Sequence, residues 1–240
     1  MGADRIFNNT GMKVSRNIKK DHSDKSIRQT VAGIRKDYDS EGIVEKDFAD
    51  NPVDQFEKWF NDALENNVTE PNAMHLSTAT PDGKPSGRFV LLKGFDERGF
   101  VFFTGYDSRK GRELKSNAHA ALTFFWHELF RQVRIEGTVQ PVSAEESDIY
   151  FQSRPRESQV SAASSPQGLI LKSRDELEKK VKEIEEKFNV KPIPRPANWG
   201  GFRLFPVRIE FWQGKANRLH DRIVYQLRDD SIWTMHRLSP

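Results

Sequence analysis

From Ala73 onward the hydrophobic pattern changes from a helical period to that of short strands. "AMHLSTAT", "SGRFVLLKGF", "GFVFFTGY", "AALTFFW" and "RQVRIEGTVQPV" are runs rich in β-branched and aromatic residues. They are separated by "PDGK", "DERG" and "SRKGRELKSNAH", with hairpin signals at Asp82-Gly83 and around Gly99. A second set, "FRLFPVRIEFWQ", "DRIVYQL" and "SIWTMHRL", follows the proline-rich connector "NVKPIPRPANWGG". Strands in direct succession pair antiparallel. A doubly wound sheet is disfavoured, because strands and helices do not alternate and no Gly-rich phosphate loop follows a strand. The expected class is mainly β with peripheral helices, built as a small closed or partly closed barrel.

Three helices accompany these strands. "NPVDQFEKWFNDALEN" opens with Asn51 as cap and Pro52 where a missing N–H costs nothing, and its apolar stripe is Phe56, Trp59, Phe60, Ala63 and Leu64. "SAEESDIYFQSRP" and "SRDELEKKVKEIEEKF" each begin with a capping box, Ser143 with Glu146 and Ser173 with Glu176. The second carries Leu177, Val181, Ile184 and Phe188 on a narrow stripe. Residues 1–33 are polar and aperiodic and read as a mobile N-terminal arm, leaving 34–240 as one folded domain. On composition alone, "GIRKDYDSEG" reads as a solvated linker.

Composition removes several classes of function. The chain has no cysteine, which excludes disulfide scaffolds, thiolate zinc sites and cysteine nucleophiles. Six scattered histidines show no ligand spacing, so no metal is expected, and no Gly-x-Ser-x-Gly elbow is present. Lys and Arg total 38 against 35 Asp and Glu, too small a surplus to argue for nucleic acid. No apolar run approaches the roughly 20 residues of a membrane helix, and no apolar segment follows the start methionine, so the default is a soluble, cytoplasmic protein.

The chemistry must then lie in the cationic clusters. Arg88 and Lys93 flank "FVLL"; Ser108, Arg109 and Lys110 follow "FFTGYD"; Tyr150, Arg154 and Ser158 lie on and after a helix. In "EFWQGKANRLHDRIVY", Arg218, His220 and Arg222 recur every second residue, and an extended segment would put all three on one side of a sheet. Burying an unpaired cation costs several kcal/mol, so such clusters need anions. Acidic side chains elsewhere in the chain could supply them. Four clusters with interleaved hydroxyls and few nearby acids favour a polyanion, and phosphate esters suit the Arg fork with Lys, Ser and Tyr donors. Two separate donor sets point to two phosphorylated ligands.

These blocks, from "NAMHLSTATPDGKPSGRFVLLKGF" through "RQVRIEG", "YFQSRPRESQ", "WGGFRLFPVRIEFWQG" and "NRLHDRIVY" to the terminal "RLSP", resemble the pyridoxine/pyridoxamine 5′-phosphate oxidase family, in order from about Arg35. The resemblance implies an FMN-binding split β-barrel and a homodimer with FMN at the interface, its C-terminal strands serving dimerisation. It also implies oxidation of pyridoxine or pyridoxamine 5′-phosphate by oxygen to pyridoxal 5′-phosphate and hydrogen peroxide. By motif, the implied cofactor contacts are Arg88, Phe89, Val90, Leu91, Phe103, Thr104, Arg109, Lys110, Gln132, Gln167, Gly168, Trp212 and Arg222. Lys93, Tyr150, Arg154 and Ser158 would grip the substrate phosphate, and Arg218, Leu219 and His220 would meet the pyridine ring, with Arg218 and His220 as catalytic residues. Arg35, Lys36, Asp37 and Tyr38 match a family segment that can cover the site, which changes the linker reading.

Two features depart from simple carry-over. The family pattern "SxQSxxI" is here "SSPQGLI", so Gly168 stands in place of a serine and Pro166 restricts the residue before it. Arg88 and Lys93 are five apart, which on a flat strand sends them to opposite faces; either a bulge intervenes or they serve different ligands or different subunits' sites. Three rival readings stay open: another flavin enzyme on the same barrel, a non-catalytic flavin or B6-phosphate binding protein, and a basic nucleic-acid module.

Overall fold

The computed structural model describes Val31, Tyr38 and residues 40–240. Arg35, Lys36 and Asp37, and the expected arm over 1–33 apart from Val31, lie outside the described residues. The chain order is α1 (Pro52–Glu65), β1 (Ala73–Ala79), β2 (Pro85–Leu91), β3 (Gly94–Asp96), β4 (Gly99–Gly105), α2 (Arg109–Ser116), β5 (His119–Trp126), β6 (Arg131–Pro141), α3 (Ala144–Ser153), α4 (Arg156–Ser164), α5 (Arg174–Phe188), β7 (Trp199–Gln213), β8 (Asp221–Leu227) and β9 (Trp233–Leu238).

All nine strands join one antiparallel sheet in the order β2-β1-β5-β6-β7-β4-β3, with β8 on β7 and β9 on β8. The sheet forks along β7. Trp199 to Leu204 pair with β4, whereas Arg208 to Gln213 pair with β8. Pro206 sits at the fork, where its missing N–H is tolerated, and the β6 register slips opposite it between Glu136 and Gly137. Gly99, at φ +139, turns β3 into β4 where a Cβ would run into the Leu204 carbonyl. Gly83, at φ +82, closes the β1–β2 hairpin as expected.

The core fills the concave side of this sheet. Phe100, Phe102, Phe124, Ile135, Phe211 and Ile223 are fully buried there. Helix α1 seals it with Phe56, Trp59 and Ala63, while Leu64, expected in the stripe, is 52% exposed. Asn51 caps α1 by accepting from the Val53 N–H at 2.8 Å. A second cluster, Phe151, Val160 and Ile193, joins α3, α4 and α5 to the sheet through Trp199.

Two helices were not legible in the sequence. Helix α2 lies within a stretch that reads as a turn, because its eight residues hold a glycine and a single apolar side chain, Leu114, and so show no stripe; its signal is Ser108, whose Oγ accepts from Gly111 N. Helix α4 follows α3 after only Arg154 and Pro155. The extended reading of Arg218 to Arg222 is corrected by the structure. Ala216–Arg218 is a 3-10 turn with Asn217 at φ 56 and Arg218 at φ 60, and only Arg222 of the three lies on β8.

Candidate active site

The first cluster forms where β4 ends against α2. Lys110 is buried, and its Nζ donates to Thr104 Oγ1 (3.0 Å), Ser108 Oγ (3.3 Å) and Gln167 Oε1 (3.3 Å). None of these partners is a carboxylate. Burial, reinforced by the charge of Arg88, draws the ammonium pKa down to about 8. From β2, Arg88 reaches Thr78 Oγ1 and Ser86 Oγ, each at 2.5 Å, and Glu113 Oε2 at 3.4 Å. Arg109 Nε donates to Glu113 Oε1 at 2.9 Å. The sequence reading of few nearby acids therefore fails for both arginines, because Glu113 lies on a helix it did not show.

Gln167 enters from a turn closed by the Leu169 N–H to the Pro166 carbonyl. Gly168 there adopts φ +90, with no atom closer than 3.8 Å to an added Cβ. Backbone conformation, and not space, is what glycine supplies. The turn holds Gln167 Oε1 against Thr104 Oγ1 (2.9 Å) and the Gly105 N–H (3.1 Å).

Beside this cluster Phe103 stacks on Tyr150 with ring centroids 3.8 Å apart and on Trp199 at 5.6 Å. Lys93 and Tyr150 line a cavity of about 380 Å³ together with Phe103, Asp96 and Arg203. Arg154 stacks over Trp199 at 4.7 Å and lines a separate cavity of about 170 Å³ with Thr104 and Gln167. Its Nη1 is buried without a hydrogen-bond partner. Ser158, half-buried on α4, lines neither. The four residues of the expected phosphate grip are thus divided between two cavities and α4. Lys93 follows the end of β2, so the strand stops before the face question raised by Arg88 arises.

The third group lies on the other arm of the fork. Gln132, Trp212 and Arg222 are consecutive register partners across β6, β7 and β8, hence on one face. Arg222 Nε donates to Glu210 Oε1 at 2.8 Å, and buried Glu210 also pairs with Arg134 at 2.7 Å. His220 packs 4.7 Å from Trp212 and 5.6 Å from Tyr38. Its Nδ1 accepts the Lys215 N–H at 3.1 Å. Burial, then the charge of Arg218, lowers its pKa, and because Nδ1 is an acceptor, the neutral ring carries its proton on Nε2. Arg218 and Leu219 are exposed. Phe89 is 75% exposed and Leu91 less so, while Val90 packs against the core from the opposite face of β2.

Residues 60–188 match the family described as pyridoxamine 5′-phosphate oxidase. A Nostoc protein named pyridoxine/pyridoxamine 5′-phosphate oxidase is 55% identical over 212 residues, 88% of this chain and 99% of the relative. The chain belongs to the pyridoxine/pyridoxamine 5′-phosphate oxidase family. Another oxidase of that name, from Rubrobacter xylanophilus, is 53% identical over 89% of this chain and 98% of its own. Residues 199–240, which carry β7, β8 and β9, match the C-terminal dimerisation region described for pyridoxine 5′-phosphate oxidase. Among solved structures, PhzG from Burkholderia lata, in complex with tetrahydrophenazine-1-carboxylic acid, has a TM-score of 0.79 and 32% identity, covering 83% of this chain and 98% of that one. A pyridoxamine 5′-phosphate oxidase-related, FMN binding protein from Nostoc punctiforme has a TM-score of 0.62 at 17% identity, covering 77% of this chain and 97% of its own, and shares the fold. The forked sheet of this oxidase family is the split barrel, and membership implies a flavin cofactor.

Glu113, Glu210, Trp199 and Arg203 were not found from sequence. Glu113 had a signal, its spacing of four from Arg109, which means contact only once α2 is seen as a helix.

Proposed function

We propose that this chain is an FMN-dependent oxidase that converts pyridoxine 5′-phosphate and pyridoxamine 5′-phosphate to pyridoxal 5′-phosphate, with oxygen as acceptor and hydrogen peroxide as co-product. The alcohol loses two hydrogens; the amine also takes up water and releases ammonia. The observation that carries the reading is Lys110, a buried ammonium bonded to two hydroxyls and an amide and to no carboxylate. Such a group has an anion missing from its surroundings, and a phosphate ester at the start of α2 would supply it. The donor set suits FMN: Arg88, Arg109 and Lys110 for the phosphate, Thr104 and Gln167 beside it, and Phe89, Leu91, Phe103 and Gly168 around it, with Val90, whose side chain faces the core, offering only its backbone on the edge strand β2. When bound, FMN would supply two-electron acceptor chemistry that oxygen can regenerate, and these residues would hold its phosphate and flank it.

Gln132, Trp212 and Arg222 would complete the cofactor site from a second copy of the chain. Thr104 faces Gly200, and Trp212 lies about 12 residues further along β7, a path along the strand of up to roughly 40 Å at ~3.3 Å per residue. That is far longer than one mononucleotide, so a single chain does not close both groups on it. Exposed Phe125, the register partner of Gln132, gives the second copy apolar surface to cover.

Lys93, Tyr150, Arg154 and Ser158 would hold the substrate phosphate where a bound ligand joins the two cavities they now divide, the unpartnered Arg154 Nη1 being its free donor. Arg218, Leu219 and His220 would lie over the pyridine ring, with His220 donating from Nε2 to orient it. Tyr38, packed on Trp212 and His220, would help to cover the site. Purified protein should form pyridoxal 5′-phosphate with uptake of oxygen, and Lys93→Met or Arg218→Leu should raise KM strongly. Unchanged KM in both variants refutes the assignment of the grip. Oxidation of reduced phenazine carboxylates in place of the B6 phosphates would refute the substrate.

A further inference from the structure

Glu113 stands at the centre of the first cluster and takes no part in the chemistry above. The residue is 5% exposed. Oε2 accepts from Thr78 Oγ1 of β1 at 2.5 Å, from Ser86 Oγ of β2 at 2.6 Å and from Arg88 at 3.4 Å, while Oε1 accepts from Arg109 at 2.9 Å. Ser86 also accepts from Arg88 Nη2 at 2.5 Å, so Arg88 is held both directly and through a relay. Burial pushes the Glu113 pKa up, but the Ser86, Thr78 and Arg109 hydrogen bonds outweigh it and bring the value down to about 2. The group is an anion at every pH near neutrality.

A fixed negative charge beside a phosphate site opposes phosphate binding by simple Coulomb repulsion. Its presence requires a compensating role, and the geometry supplies two. Arg88, Arg109 and Lys110 against one carboxylate leave two net positive charges, which matches a phosphate monoester at about −1.5 to −2 near pH 7. Arginine side chains are also long and rotamer-rich, and guanidiniums tied down before the ligand arrives lose less freedom on binding it. Three of the four donors to Glu113 reach it across the sheet edge from β1 and β2, so the carboxylate pins α2 and β2 together as well.

We propose that Glu113 is a positioning residue for the cofactor phosphate: it fixes the Arg88 and Arg109 guanidiniums and balances the cluster to the charge of one phosphate dianion. The proposal rests on the reading that this cluster holds the FMN phosphate. Lys110 makes no bond to Glu113 and donates only to neutral oxygens, so no carboxylate competes with the ligand for its ammonium.

The test compares FMN with riboflavin, which lacks the phosphate, by release from the purified holoprotein and rebinding, followed by flavin fluorescence. Wild type should bind FMN far more tightly than riboflavin. Glu113→Gln should weaken FMN about tenfold or more, the scale of one charge-assisted bond, and leave riboflavin nearly unchanged. Ser86→Ala keeps every charge, breaks the relay, and should shift FMN binding in the same direction by severalfold. Bare electrostatics predicts the opposite sign, so FMN binding in Glu113→Gln that is unchanged or tighter overturns the proposal. An equal loss for both flavins also overturns it, since that marks a role in the fold alone. If Glu113→Gln does not fold, unchanged FMN affinity in Ser86→Ala overturns it. A wild type that does not distinguish the two flavins would instead bring down the phosphate-site reading.

Discussion

Replacing Lys110 with methionine separates what a buried cation does for the ligand from what it does to the fold. Lys110 is 8% exposed, and its pKa falls from 10.5 to about 8. A shift of this size corresponds to about 3 kcal/mol against the charged form in the ligand-free fold near pH 7. The unfolded chain binds more protons than the folded one between pH 8 and 10.5, so this penalty is present below pH 8 and is relieved as pH rises through that window. Methionine conserves most of the volume and carries no charge. Lys110→Met without flavin should therefore be more stable than wild type below pH 8, by ~1 to 3 kcal/mol once the lost hydrogen bonds are counted, and the advantage should shrink toward pH 10.5. The same variant should bind FMN about 30-fold more weakly, from the loss of a charge-assisted bond of ~2 kcal/mol. Urea unfolding of flavin-free protein across the pH series measures the first effect, and flavin fluorescence the second. A variant less stable than wild type, or a stability difference that does not change with pH, would refute the account of Lys110 as an uncompensated cation.

Gly168→Ala should lose about 1 kcal/mol in urea unfolding, because φ +90 is strained for any side chain even with open space around it. Since the histidine pKa is pushed below its ordinary 6.5, kcat/KM should show an inflection assigned to His220 only below that pH, and His220→Asn should remove it. Phe56→Ala should cost about 3 to 5 kcal/mol, the range for a fully buried phenylalanine, and thermal unfolding should show it while flavin binding in the folded protein is retained.

Local pattern carried much of this fold. The β1–β2 hairpin, the Asn51 cap and the paired closing strands all follow from turn residues and periodicity confined to a few residues. What failed was information held elsewhere in the chain. Arg218 and His220 seemed to continue the period-two row of β8, but positive φ at Asn217 and Arg218 breaks that row, and alternation cannot reveal it in residues other than glycine. Few acids lie near Arg88 and Arg222 in sequence, yet Glu113 and Glu210 meet them across strand pairs and a helix that the sequence had not placed. The glycine at 168 looked like a lost hydroxyl and is a turn residue that presents Gln167.

The most direct measurement is an anaerobic single turnover on the purified holoprotein. Adding pyridoxine 5′-phosphate or pyridoxamine 5′-phosphate should bleach the flavin absorbance, admission of air should restore it, and pyridoxal 5′-phosphate should form in proportion to flavin reduced. Unphosphorylated pyridoxine at the same concentration should bleach it far more slowly. Bleaching by both forms at equal rates, or by neither, would contradict the account.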